Sequence, residues 1–312
     1  MRYINLKAFA KINLALDIVG KDEQGYHMLE TVMKTVDLSD SIFTCTEEGI
    51  SKLAFYADAK TADSLKDIFT KMKATGKKIV VASDNRALPT GEKNLAYKAA
   101  SLFCEKTGYD REIFIYIVKK IPVGAGLGGG SSDAAAVLKA LNNLARFPLE
   151  PAELREIASQ VGSDVPFFMS ARPAYATGRG TEIKRLPDLP PLSIVLVKPS
   201  IFSSTAEAYT DYDCTEIPED AHPDCERLIR DLLKRDVAGA AADMKNVLEY
   251  PVFKKYPLLA EIKKEMLSRE GVLTAFMTGS GSTIVGLFEN SKYAKEAEKH
   301  FLGLSHQAFY VT

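Results

Sequence analysis

Apolar and polar positions alternate from the start of the chain. Ile4, Leu6, Ala8 and Ala10 fall on one side, Asn5 and Lys7 on the other. That period of two predicts a strand continuing through residues 11–19, closed by Gly20 and the polar turn of residues 21–25. An apolar pattern resumes over residues 28–36. Residues 46–78 are harder to read; a short amphipathic helix is predicted over 63–73, and Lys77 and Lys78 lead into the apolar Ile79, Val80 and Val81. A loop over 85–91 precedes a helix over 93–105 that begins near Asn94 and ends before Gly108. The β-branched and aromatic run 112–118 predicts a buried strand, because such side chains pack well on a pleated surface.

That strand is closed by residues 119–122, and a glycine-rich stretch leads to a helical run over 134–144. Phe147, Pro148 and Pro151 break the pattern, which sets the expected domains at 1–150 and 151–312. Further helices are predicted over 152–161, 226–233, 237–248 and 258–267, with a helix start at 162–166, where polar residues precede Pro166. Strands are predicted over 193–197, 274–277 and 283–288, the last two flanking a loop over 278–282. Strands and helices are interspersed, so the class is mixed α and β.

Composition narrows the partners. A chain of 312 residues with 46% hydrophobic content can build two cores. Forty basic side chains nearly balance forty-one acidic ones, leaving a net charge of -1 and no global attraction for nucleic acid or a membrane surface. Cys45, Cys104, Cys214 and Cys225 show no metal or disulfide spacing. Lys7, Lys11 and Asp17 interrupt the apolar start, and no run approaches the ~20 apolar residues of a bilayer span. The expectation is a soluble, cytoplasmic protein, monomer or homodimer.

The chemistry concentrates in residues 124–130, where Gly124, Gly126, Gly128, Gly129 and Gly130 lie between a predicted strand and a predicted helix. Glycines let a ligand approach the main chain, and a helix start adds unpaired N–H groups and a positive dipole end, together a phosphate cradle. Ser131, Ser132 and Asp133 are expected to cap that helix. A tight turn needs one or two glycines and does not explain five. Gly124, Gly126 and Gly129 fit GxGxxG, but residues 146–151 form no second strand with a terminal acid, as a dinucleotide site requires. No lysine follows the glycines as in a P-loop, and the HRD and DFG motifs of protein kinases are absent. Taken alone, Asp164 reads first as a helix cap, Lys11 as a solvated strand residue and Tyr26 as core or surface, while Asn94 reads equally as an N-cap.

The stretch Pro122, Val123, Gly124, Ala125, Gly126, Leu127, Gly128, Gly129, Gly130, Ser131 and Ser132 resembles the phosphate loop of the GHMP kinases. Residues 8–14 look like that family's first motif and residues 278–282 like its third. Gly25 with Tyr26 and His27, Leu88 to Gly91 with Asn94 and Leu95, residues 162–168 and 176–180, and Asn246 with Leu248 and Glu249 are similar to the branch whose substrate carries a cytidyl group. Residues 46–78 are longer than the family's corresponding stretch.

The resemblance implies an α+β, two-domain GHMP kinase fold with the active site in the cleft between domains. It implies transfer of a phosphoryl group from ATP, with Mg²⁺, to a hydroxyl of a small cytidyl substrate. Asp164 would take the hydroxyl proton, and Lys11 would hold it ionised and neutralise developing charge. Residues 122–132 would bind ATP phosphates, with Asn94 near the purine. Tyr26 and Tyr209 would stack on the cytosine and His27 would bond its edge, with Asn13 and Thr205 on the substrate's polar groups and diphosphate. Gly279 and Ser280 would support the phosphate loop. No dedicated carboxylate cage is evident, so ATP would bring most of the metal's coordination. A rival acceptor such as homoserine or a mevalonate offers no base to stack on Tyr26, His27 and Tyr209. A catalytically silent nucleotide binder would not need both Lys11 and Asp164.

Overall fold

The computed structural model describes residues 3–46, 70 and 78–312. The helix expected over 63–73 lies, but for Thr70, outside the described residues. The chain divides into two compact units, each discontinuous in sequence. The first comprises Met1–Phe9, Ser39–Val123 and Gly129–Ser170, the second Ala10–Leu38, Gly124–Gly128 and Ala171–Thr312. Residues 147–151, where the sequence suggests a boundary, fall inside the first unit.

Two long strands open the chain, β1 (Tyr3–Lys21) and β2 (His27–Cys45). The turn between them is fixed by Asp22, whose Oδ1 accepts the N–H groups of Gln24 and Tyr26, both at 2.9 Å. β2 runs well past the apolar pattern ending at Val36, because a ladder rather than local composition sets its end. In the first unit, Ser41 to Cys45 lie antiparallel to β4 (Ile113–Val118), and β3 (Ile79–Ser83) lies parallel to β4 on its other side.

Helices complete that unit. α1 (Leu95–Thr107) starts at Asn94, whose Oδ1 accepts the Ala96 N–H at 2.8 Å, and stops at Gly108 with φ 66°. α2 (Gly129–Leu144) buries Ala134, Val137, Leu138 and Leu141 and packs against α1. α3 (Pro151–Val161) opens with a capping box between Glu150 and Glu153 and has Pro151 in its first turn. α4 (Val165–Ser170) brings buried Phe167 and Phe168 against α2.

In the second unit, Thr31 to Met33 of β2 pair antiparallel with β5 (Ala174–Thr177), which pairs with β6 (Glu182–Arg185). A second sheet begins with β7 (Ser193–Lys198). Five helices follow: α5 (Thr205–Tyr212), α6 (Cys225–Leu233), α7 (Val237–Ala241), α8 (Glu249–Lys255) and α9 (Pro257–Leu267). Then come β8 (Val272–Met277), β9 (Ile284–Phe288), α10 (Ser291–Gly303) and β10 (Gln307–Val311). The sheet order is β10-β7-β9-β8, antiparallel throughout. Met266 of α9 and Phe301 of α10 pack into one core with Val195, Val197, Ile284 and Phe288.

The helix expected over 237–248 stops at Ala241. The Leu16 N–H donates to the Lys245 carbonyl at 2.9 Å, and the Val247 N–H to the Leu16 carbonyl at 3.1 Å. Bonds to β1 therefore replace helical bonds at residues 245–247, and tertiary pairing overrides local propensity. All four cysteines are free, and among the described residues no helix is long and apolar enough to cross a membrane.

Phe301 is fully buried in the core of the second unit. Phe301→Ala should cost about 3–5 kcal/mol, read as a lower denaturant midpoint of the transition that melts that unit.

Candidate active site

Gly124, Gly126 and Gly128 take φ values of 64°, 74° and 66°, a left-handed backbone that other residues rarely hold. Ala125 and Leu127 between them are buried and anchor the loop. The Lys11 N–H donates to the Leu127 carbonyl at 3.0 Å, which ties the loop to β1. Helix α2 begins at Gly129, so Ser131, Ser132 and Asp133 lie inside its first turns and do not cap it as expected. The positive-φ residue Gly128 ends the loop immediately before the helix, leaving no room for a capping residue further along.

The third glycine segment lies against this loop. A Cβ on Gly126 would meet the Thr278 carbonyl oxygen at 2.4 Å and that of Gly281 at 2.9 Å. A Cβ on Gly279, itself at φ 57°, would meet the Gly126 carbonyl oxygen at 3.1 Å. Backbone rests on backbone, which supports the buttressing role expected of Gly279. Side chains hold the segment from behind. The Asn13 N–H donates to Thr278 Oγ1 at 2.9 Å, and Asn246 Nδ2 donates to the carbonyls of Met277 and Gly279, both at 2.7 Å. Buried Glu249 accepts the Met277 N–H at 2.7 Å and pairs with Lys263.

Lys11 and Asn13 are brought together. Lys11 Nζ donates to Asn13 Oδ1 at 2.6 Å, Asn13 Nδ2 donates to Thr31 Oγ1 at 2.8 Å, and Thr31 donates to the Ala15 carbonyl at 2.6 Å. Lys11 is 5% exposed, so it is not a solvated strand residue. Asp164 is half-buried in the turn before α4, in the first unit, whereas Lys11 belongs to the second.

Under the start of α2 sits a buried triad of which the sequence singled out only Asp133, and that as a cap. Lys119 Nζ pairs with Asp40 and, at 2.9 Å, with Asp133 Oδ2. Asp40 also accepts the N–H groups of Lys120 and Ile121 at 2.6 and 2.8 Å. Burial would lower the Lys119 pKa, but Asp133 and Asp40 outweigh it and hold the ammonium above the ordinary lysine range. Burial pushes the Asp133 carboxyl up to about 7, Lys119 opposing the rise and Asp40 adding to it. One lysine cannot balance two carboxylates away from water, and Asp133 Oδ1 has no hydrogen-bond partner.

His27 and Tyr209 are also brought together within the second unit. The His27 and Tyr209 rings lie 5.2 Å apart at 37°, and Tyr212 meets His27 edge-on at 6.0 Å. Asp213 takes His27 Nε2 at 2.8 Å and Lys21 at 2.7 Å, and these bonds hold its carboxyl below the usual range. Tyr26 is 57% exposed, with the Arg179 guanidinium 4.0 Å from its ring centroid and Arg179 in turn on Asp22 and Gln24. Thr205 opens α5, its hydroxyl 2.8 Å from that of Ser280. Asn94 spends its side chain on the cap and on the Pro89 carbonyl at 2.6 Å. Pro122 and Val123 precede the loop, with Val123 exposed. Among the described residues no three His, Cys, Asp or Glu side chains are grouped to hold a metal ion.

Family models for the GHMP kinases N terminal domain and the GHMP kinases C terminal region match residues 94–172 and 228–301. The fold and the glycine loops are thus those of the GHMP class. A relative from Acetivibrio thermocellus, 4-diphosphocytidyl-2-C-methyl-D-erythritol kinase, is 38% identical over 94% of this chain and 93% of its own length. A protein of the same name from Syntrophomonas wolfei is 39% identical over 96% and 94%. A solved structure of 4-(cytidine 5'-diphospho)-2C-methyl-D-erythritol kinase superposes with a TM-score of 0.76 at 31% identity, covering 99% of this chain and 98% of that one. The homoserine kinase of Cytophaga hutchinsonii shares the fold at 18% identity and a TM-score of 0.65, over 100% and 95% of the two chains. The chain belongs to the 4-diphosphocytidyl-2-C-methyl-D-erythritol kinase family of the GHMP kinases.

Two outcomes test this geometry. Gly126→Ala forces a Cβ into two carbonyl oxygens at positive φ and should cost at least about 1–3 kcal/mol, whereas Gly130→Ala, whose Cβ meets nothing nearer than 3.7 Å, should stay within about 0.5 kcal/mol; urea denaturation of both variants decides. Asp133 gains protons on folding, so its contribution to stability falls as pH rises from 3.8 to about 7. Asp133→Asn should flatten that fall in a series of denaturation midpoints taken across the same window.

Proposed function

We propose that this chain transfers the γ-phosphoryl group of ATP to the 2-hydroxyl of 4-diphosphocytidyl-2-C-methyl-D-erythritol. The products are the 2-phosphate and ADP, and the step belongs to the methylerythritol phosphate route of isoprenoid biosynthesis. The observation that carries this reading is 38% identity to a kinase of that name over 94% of the chain. Residue types support it. Phosphoryl transfer asks mainly for positioning and charge stabilisation rather than covalent chemistry.

Residues 122–132 receive the ATP phosphates, on free N–H groups of the loop and the α2 N-terminus. Lys11 neutralises charge as the new bond forms; its hydrogen bond to Asn13 fixes the ammonium in place. Asp164 takes the proton of the attacking hydroxyl. Tyr26 and Tyr209 supply faces for the cytosine, and His27 reads its edge. Asn13 and Thr205 meet the substrate's polar groups. Asn94 shapes the purine end through its cap, its own side chain being already engaged. Mg²⁺ arrives with ATP, whose phosphates supply most of its ligands.

ADP formation by the purified chain with ATP, Mg²⁺ and the cytidyl compound, and none with homoserine or mevalonate, is the expected result. Asp164→Asn should lower kcat by about 10²–10⁴-fold with ATP binding retained. Turnover with another acceptor would overturn the roles of Tyr26, His27 and Tyr209, and full activity in Asp164→Asn would remove Asp164 as the base.

A further inference from the structure

Helices α8 and α9 follow one another with only Tyr256 between them, and together they line an open cleft of about 400 Å³. Ala260, Lys263, Lys264 and Leu267 recur at helical spacing along one face of α9, opposite Tyr250 and Phe253 of α8. The short side chain of Ala260 leaves the space open. Tyr250 and Leu267, 38% and 47% exposed, give the cleft an accessible apolar wall. The volume suits a small molecule.

Charge defines the head group. Lys263 pairs with the buried Glu249 and lies 6.0 Å from the Phe253 ring centroid. Lys264 is exposed, and among the described residues it has no ion-pair partner. Among the side chains that line the cleft, two ammonium groups accompany one carboxylate, an excess of one positive charge beside apolar walls. We infer that this cleft binds an amphipathic anion, a small molecule with an apolar body and a phosphate or carboxylate head.

The floor of the cleft is wired to the glycine segments. Glu249 holds Lys263 with one carboxylate oxygen and the Met277 N–H with the other, and Met277 precedes Thr278. An anion at Lys263 competes with Glu249 for that ammonium and so changes how firmly Met277, and the loop beyond it, is held. This consequence for catalysis rests on the kinase reading; binding does not.

Calorimetric titration of the full chain with octyl phosphate tests binding, with octan-1-ol and inorganic phosphate as probes of tail and head alone. Saturable binding at one site is expected, at least about tenfold weaker for either fragment. Lys264→Glu and Leu267→Asp should each weaken it by about tenfold or more, with melting temperatures that show the variants folded. Binding that is not saturable, that persists unchanged in both folded variants, or that ATP displaces competitively would overturn the site. In the same preparations, octyl phosphate should shift the KM for ATP in the unmodified chain and not in Lys264→Glu; an unchanged KM would sink the coupling alone. Absence of turnover before any octyl phosphate is added would count against the kinase reading and leave the calorimetry standing.

Discussion

The contact between residues 126 and 278–281 constrains everything around it. Two stretches of backbone far apart in sequence meet where a single methyl group on Gly126 would lie 2.4 Å from a carbonyl oxygen. No side chain can mediate such a contact, so glycine is required on both sides and the approach must be held from elsewhere. Asn13 holds Thr278 from β1, Asn246 holds the carbonyls of Met277 and Gly279, and Glu249 holds the Met277 N–H. Each is buried, so each bond is made away from competing water, and losing one partner would strand the other.

The same logic explains why a nearly neutral chain buries so many charges. Lys119 lies between Asp40 and Asp133 below Gly129, where a Cβ would come within 2.9 Å of its ammonium. Glu249 and Lys263 stand behind Met277. Buried pairs of this kind rarely add net stability over well-packed apolar groups, because desolvation cancels much of the attraction. What they supply is direction: a carboxylate accepting two backbone N–H groups, as Asp40 does, fixes a strand exit more narrowly than packing would. Both clusters therefore act on backbone position at the glycine segments.

Local features were legible in the sequence, and features that depend on distant partners were not. The Asn94 cap and the Gly108 stop of α1, the β4 run and the glycine stretch before α2 all follow from neighbouring residues. The helix expected over 237–248 fails because Leu16, more than two hundred residues earlier, takes the backbone bonds of Lys245 and Val247. Asp133 reads as a cap by type, yet turns toward Lys119, a partner fixed by the β4 exit. Lys11 looks like a strand lysine until Asn13, itself held by Thr31, takes its ammonium. Asn246 and Glu249 stood out only as a short resemblance, and their work is visible once β8 is placed beside them.

The aromatic residues carry a quantitative consequence for selectivity. One face of Tyr26 already meets the Arg179 guanidinium, and Tyr209 already meets the His27 ring. An exposed cation–π contact is worth roughly 0.5–1 kcal/mol, and stacking a base on an aromatic ring roughly 1–3 kcal/mol. A base that replaced both contacts would keep only part of its stacking energy. Acceptors without a base gain nothing from either ring. Under the proposed function these rings would favour an acceptor with a base by what stacking the existing contacts leave, with Asp22 holding Arg179 and Asp213 holding His27.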